Sequence, residues 1–162
     1  LTYSAPVFES KICDPADLPA RVASLSRPLV FTNGCFDILH RGHAAYLAQA
    51  RALGASLVVG VNTDASVKRL GKGDDRPVNS QQDRMAVLAA LESVSLVTWF
   101  DEDTPLQLIL ACRPDILVKG GDWAAENIVG AREVLDWGGQ VHSIPFLFER
   151  STTSTIAKIR AL

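Results

Sequence analysis

His40 and His43 stand three residues apart with Gly42 between them, shortly after an apolar run, Leu29 to Phe31, that breaks at Asn33-Gly34. An imidazole N–H can donate to an oxygen whose negative charge grows during a reaction. A helix start offers unpaired backbone N–H groups and the positive end of its dipole, which suits phosphate. A glycine there lets such a ligand approach the main chain. The run His43 to Leu53, apolar at Tyr46, Leu47, Ala50 and Leu53, predicts that helix. The stretch therefore points to phosphate chemistry. Two other readings compete with it. The histidines could chelate a metal, but zinc needs three or four ligands, and Cys35 and Asp37 stand at no standard spacing. They could also simply cap the helix.

Two common phosphate loops are absent: no Gly-x-x-x-x-Gly-Lys-Ser/Thr occurs, and no Gly-x-Gly-x-x-Gly follows the first strand. Other candidates are a lysine between glycines, Gly71-Lys72-Gly73, able to swing over a triphosphate, and Lys119-Gly120-Gly121-Asp122-Trp123, where two glycines would admit a flat ligand beside an aromatic wall. Ser151-Thr152-Thr153 reads as a helix N-cap that could aim a second helix end at the same ligand. Lys68, Arg76 and Arg84 are further cations near these segments.

Something must hold these residues together, and the hydrophobic pattern says what. Short apolar strands are expected at 29–31, 57–61, 96–100, 115–118 and 141–144. Helical segments fall between them: from His43, a brief one through Val67, from the cap Ser80, from Pro105, from Ile128 to Trp137, and after Ser151. Such alternation marks a three-layer α/β domain with a mainly parallel sheet. Ligands bind such sheets beyond the carboxyl ends of the strands, where strand order reverses, and the polar clusters follow strands one, two, four and five. Residues 1–26 are expected to form an N-terminal extension with one short helix, opened by Asp14-Pro15 and packed outside the core; residues 27–162 form the catalytic domain.

The chain's 162 residues suit one domain with a real core. A formal net charge of −2 argues against a nucleic-acid binder that works by bulk phosphate neutralisation, so small molecules are the expected partners. No apolar run reaches the ~20 residues of a membrane span, so no membrane insertion is expected. Leu1 to Ser10 lacks a signal-peptide pattern, and the cysteines (Cys13, Cys35, Cys112) make no disulfide framework. A cytoplasmic protein is expected, and the composition allows a homo-oligomer.

The sequence Thr32-x-Gly34-x-Phe36-Asp37 followed by His40-x-Gly42-His43 resembles the first motif of the HxGH nucleotidyltransferases, the cytidylyltransferase-like superfamily, and Ser151-Thr152-Thr153 resembles its second. Asn62-Thr63-Asp64-Ala65-Ser66, Arg76-Pro77-Val78-Asn79 and Val118-Lys119-Gly120-Gly121-Asp122 are similar to the members that adenylylate a heptose phosphate. The resemblance implies a Rossmann-like sandwich with a five-stranded parallel sheet of order 3-2-1-4-5. It implies AMP transfer from ATP to D-glycero-β-D-manno-heptose 1-phosphate, giving ADP-heptose and pyrophosphate for the lipopolysaccharide inner core. Some members carry a fused sugar kinase; here a separate kinase and phosphatase are expected to supply the substrate.

On this reading His40, His43, Lys72 and Arg84 are catalytic. Thr32, Asn33, Gly34, Cys35, Phe36, Gly42, Lys119, Gly120, Gly121, Asp122, Ser151, Thr152 and Thr153 bind the nucleotide. Asp37, Asp64 and Arg76 face the sugar phosphate. Mg²⁺ is expected as a cofactor held mainly by ATP phosphates, with no protein metal ligands. The alternatives are another transferase of the superfamily, similar to glycerol-3-phosphate cytidylyltransferase or FAD synthetase, and a non-catalytic nucleotide-binding regulator.

Overall fold

A computed structural model describes residues 3–4 and 6–162. Five parallel strands, β1 (Leu29–Gly34), β2 (Ser56–Asn62), β3 (Leu96–Phe100), β4 (Ile116–Gly120) and β5 (Gln140–Ile144), form one sheet in the order β3-β2-β1-β4-β5. Seven helices connect and flank them: α1 (Leu18–Ala23), α2 (Arg41–Ala52), α3 (Asp64–Arg69), α4 (Gln81–Ala89), α5 (Leu106–Cys112), α6 (Ala131–Asp136) and α7 (Thr152–Arg160). The expected Rossmann-like order is the one observed.

Strand side chains alternate between faces, and the core divides accordingly. Leu29 and Phe31 of β1, Val58 of β2, Leu96 of β3 and Leu117 of β4 pack with α1, α5 and α6 through Leu18, Ile109 and Val134. Val30, Val59, Val97 and Val118 point the other way, onto Tyr46 and Leu47 of α2 and Leu88 of α4. The inner strands are buried on both faces, which is why they read as continuous apolar runs.

Three differences from the sequence reading have physical causes. The segment before β1 is part of the domain: Cys13, Leu18 and Val22 are buried in the first core face, and the Cys13 N–H donates to the Val97 carbonyl at 2.8 Å. With Ile12 bridged to Val97, the segment covers the open edge of β3, where unpaired backbone groups would otherwise be exposed. The single α-helix expected there is α1, with Asp14 capping a 3₁₀ turn before it; residues 1, 2 and 5 of the expected extension lie outside the described residues. The fourth strand runs on through Lys119 and Gly120, which are therefore strand-end rather than loop residues. The helix expected from Ile128 is confined to α6, because Gly130 in the left-handed conformation (φ 84°) opens it.

Candidate active site

Strand order reverses between β1 and β4, and a cavity of about 560 Å³ opens at the carboxyl ends of those strands. Its walls come from the β1–α2 loop, the end of β4, the segment before α7 and the loop carrying Lys72. That volume lies within the ~300–1,000 Å³ of ordinary small-molecule sites.

The histidines form its most ordered part. His40 is the N-cap of α2, which begins two residues before the expected start, and its Nδ1 accepts the Gly42 N–H at 3.1 Å. The His43 Nδ1 accepts the His40 N–H at 3.4 Å, closing a reciprocal capping box. With each Nδ1 an acceptor, each neutral ring carries its proton on Nε2, free to donate to a ligand. The rings are stacked with centroids 3.9 Å apart, and Phe36 meets His43 edge-on at 5.5 Å. Burial, helped by the His40 ring, pushes the His43 pKa down to about 4. Burial and then the Arg150 guanidinium lower that of His40. Both rings are therefore neutral donors near pH 7. Gly42 is buried, and a Cβ there would stand 2.9 Å from the His40 ring, so it makes room for the histidine rather than for a ligand.

The cavity is electropositive. Lys72, Arg76, Lys119 and Arg150 line it against one carboxylate, Asp37, and Arg76 already pairs with Asp37 at 2.6 Å. Lys72, Lys119 and Arg150 have no carboxylate partner among the described residues. Burial lowers the Lys119 pKa, with the Lys72 ammonium a further opposing charge. Unpaired cations gathered in a half-buried cleft favour an anionic ligand. The start of α7 adds to this. Ser151 caps it by accepting the Ser154 N–H at 3.0 Å, and the Thr152 hydroxyl donates to the Ile38 carbonyl at 3.1 Å, fastening α7 to the β1–α2 loop. The 9-residue helix therefore directs its N-terminal N–H groups at the cavity that holds the histidines.

Of the predicted residues, Asn33, Gly34, Cys35, Phe36, Asp37, His40, His43, Lys72, Arg76, Lys119, Gly120, Ser151, Thr152 and Thr153 line this cavity. Others do not. Thr32 is fully buried beneath it, its hydroxyl bonded to Tyr46 Oη. Gly121 and Asp122 lie past the rim, and Lys68 is exposed on α3. Arg84 and Asp64 correct the sequence reading most clearly. The Arg84 guanidinium is fully buried, donating to the carbonyls of Cys35 (2.7 Å) and Asn79 (3.1 Å) and to Asp64 (2.7 Å). Three of its donors anchor these loops, and it does not line the cavity. Asp37 and Arg76 line the cavity but bind each other, and Asp37 also accepts the N–H groups of Val78 and Asn79. Burial would raise the Asp37 pKa, yet those donors and Arg76 outweigh it and hold the carboxyl below its ordinary value.

Sequence reasoning missed Tyr46, Phe146 and Arg150, which also line the cavity. A basic residue immediately before the Ser-Thr-Thr cap was the available signal for Arg150. No group of three or more His, Cys, Asp or Glu side chains that could hold a metal ion occurs among the described residues.

Comparison with known proteins places this geometry. Residues 31–158 match the sequence profile described as Cytidylyltransferase-like. The chain is 61% identical over 155 residues to the D-beta-D-heptose 1-phosphate adenylyltransferase of Bordetella bronchiseptica, covering 94% of this chain and 96% of that protein. It is 59% identical over 130 residues to the bifunctional protein HldE of a Marinomonas species, covering 80% of this chain but only 27% of HldE. Among solved structures it is similar to the lipopolysaccharide core biosynthesis protein from Thermoplasma volcanium. That match has 27% identity and a TM-score of 0.60, over 75% of this chain and 98% of the other.

Proposed function

The chain belongs to the cytidylyltransferase-like family, and from that premise we propose that it transfers AMP from ATP to D-glycero-β-D-manno-heptose 1-phosphate. The products are ADP-heptose, used in building the lipopolysaccharide inner core, and pyrophosphate. A phosphate oxygen of the sugar attacks the α-phosphorus of ATP in line, and the bond from that phosphorus to the β-phosphate bridging oxygen breaks. The observation that carries the reading is the meeting of two neutral Nε2–H donors with three unpaired cations in one cavity.

Two anions repel, so positioning and charge neutralisation supply most of the acceleration. His40 and His43 donate to oxygens of the phosphates that react and leave. Burial keeps both rings neutral in the free protein, and with each Nδ1 accepting within the capping box, each ring donates from Nε2. Lys72, Lys119 and Arg150 offset the approaching charge. Ser151, Thr152 and Thr153 hold the β- and γ-phosphates at the start of α7, while Asn33, Gly34, Cys35, Phe36 and Gly120 shape the nucleotide side. Mg²⁺ would be held mainly by ATP phosphate oxygens and water, where it would offset phosphate charge. The only carboxylate lining the cavity among the described residues, Asp37, is engaged by Arg76, a donor set that suits a metal bound through substrate. The enzyme works in the cytoplasm; no helix among the described residues is long and apolar enough to cross a membrane.

The test is a coupled pyrophosphate assay with ATP, CTP and UTP against heptose 1-phosphate, other sugar 1-phosphates and glycerol 3-phosphate. Pyrophosphate release is expected with ATP and heptose 1-phosphate above all other pairs. Preference for CTP or UTP would overturn the choice of nucleotide, and nucleotide binding without release for any acceptor would make the protein a regulator.

A further inference from the structure

Strand β1 pairs with β2 from Leu29 to Gly34, but with β4 only at Val30 and Phe31, opposite Ile116 and Leu117. From Thr32 and Val118 onward the ladder between β1 and β4 stops, and the next residues of each strand line the cavity. A ladder that ends inside a sheet leaves buried backbone groups to be satisfied and two strand ends to be held at a set distance.

Tyr46 of α2 bridges that point. Its Oη lies 2.5 Å from the Thr32 hydroxyl and donates to the Val118 carbonyl at 3.4 Å. With the phenol proton directed at Val118, the Thr32 hydroxyl is the donor of the first pair. All three residues are buried, where a polar group without a partner is costly. Burial pushes the Tyr46 pKa up to about 12, against the opposing effect of the Thr32 hydrogen bond, so the phenol keeps its proton. The ring is wedged as well. It meets Phe146 edge-on with centroids 6.2 Å apart, and a Cβ at Gly120 would stand 3.0 Å from Phe146 and 3.2 Å from Tyr46.

We infer that the Tyr46 and Thr32 hydroxyls form a brace across the parting of β1 and β4, which sets where α2 holds His43 relative to Lys119. The inference rests on the proposed adenylyl transfer and adds a positioning residue, Tyr46, whose one hydroxyl proton is engaged within the protein. Tyr46 lies three residues past His43, on the same face of α2 one turn further along. Through Thr32 it is tied to the strand that continues into Asn33, and through Val118 to the strand that continues into Lys119. Removing the phenol oxygen leaves the ring and its packing in place and releases only the brace. A histidine displaced by a fraction of an ångström still meets a bound phosphate, but it no longer meets the oxygens where charge develops. The loss therefore falls on turnover rather than on binding.

The experiment measures kcat, and KM for ATP and for heptose 1-phosphate, in the unmodified chain, Tyr46→Phe, Thr32→Val, the double variant and Thr32→Ser, with melting temperatures alongside. In Tyr46→Phe and Thr32→Val, kcat is expected to fall about ten- to a hundredfold while both KM values stay within about twofold. Because the two hydroxyls act as one unit, the double variant should lose no more than the worse single one. Thr32→Ser keeps a hydroxyl and should recover most of the rate lost in Thr32→Val. A purely structural role predicts a lower melting temperature with kcat of the folded enzyme unchanged, and that result would overturn the inference. A rise in KM alone would also overturn it, by making Tyr46 a binding contact. If Tyr46→Phe does not fold, Thr32→Val against Thr32→Ser decides by the same split between kcat and KM. If the unmodified protein releases no pyrophosphate from ATP and heptose 1-phosphate, the proposed function fails and the brace with it. Turnover in the unmodified protein with unaltered kcat in the variants removes the brace alone.

Discussion

Lys72, Lys119 and Arg150 stand at the cavity without carboxylate partners among the described residues, whereas Arg76 and Arg84 are bound to Asp37 and Asp64. In composition the two groups are alike: basic residues in or near βα loops. They differ in what satisfies them. The second group has its charge answered inside the protein, so it holds the 76–79 loop and the Cys35 carbonyl in place. The first group has a charge still to be answered, and a ligand can answer it. Proximity to a pocket therefore does not assign a role; the presence or absence of a partner does.

The comparison can be broken at several points, beginning with its buried side. Arg84→Met leaves Asp64 and two carbonyls without their donor and should cost about 3 kcal/mol of stability in urea denaturation. If instead stability held while the KM for ATP rose, Arg84 would belong with the free cations. Lys72→Met should do the opposite. Loss of a charged donor worth roughly 1.5–3 kcal/mol should lower kcat/KM about ten- to a hundredfold with the melting temperature unchanged. Unchanged kinetics would remove Lys72 from the site.

The pH dependence of stability sharpens the contrast further. Burial holds the His43 pKa at about 4, below its ordinary 6.5, so between those values the unfolded chain binds more protons than the folded one. Stability should therefore fall as pH drops from about 6.5 to 4, with no contribution from His43 above that window. His43→Asn should show a shallower decline in melting temperature across it; parallel curves would mean that the ring is not desolvated. The smallest effect belongs to the ion pair between Asp75 and Arg160, which ties the Lys72 loop to α7 with side chains 42% and 65% exposed. Asp75→Asn should change stability by less than about 1 kcal/mol in thermal melts, and a larger loss would place this pair with the buried ones.

Much of this was legible in the chain itself, because the signals are local. Apolar strands alternating with capped helices give the three-layer fold, and the spacing of His40, Gly42 and His43 lies within one helix start. Ser151-Thr152-Thr153 caps α7 as its residue types dictate. What escaped was set by contacts far apart in sequence. Arg84 meets the Cys35 carbonyl 49 positions away, and Arg76 meets Asp37 across 39. Nothing near either arginine reveals that its donors are engaged. The segment before β1 escaped for the same reason: its short apolar pattern predicts a surface helix, and only the open edge of β3 explains why Ile12 and Cys13 pair with Val97. Phe146 and Arg150 lie in a stretch without periodicity, so only folding shows that they face the cavity.

The central claim is that the stacked imidazoles donate to phosphate oxygens as charge develops on them. Single-turnover pyrophosphate release by His43→Ala, with ATP and heptose 1-phosphate both saturating, tests it directly. A rate reduced about a hundred- to a thousandfold in a protein that melts normally is the predicted result. A rate within a few-fold of the unmodified enzyme would contradict it.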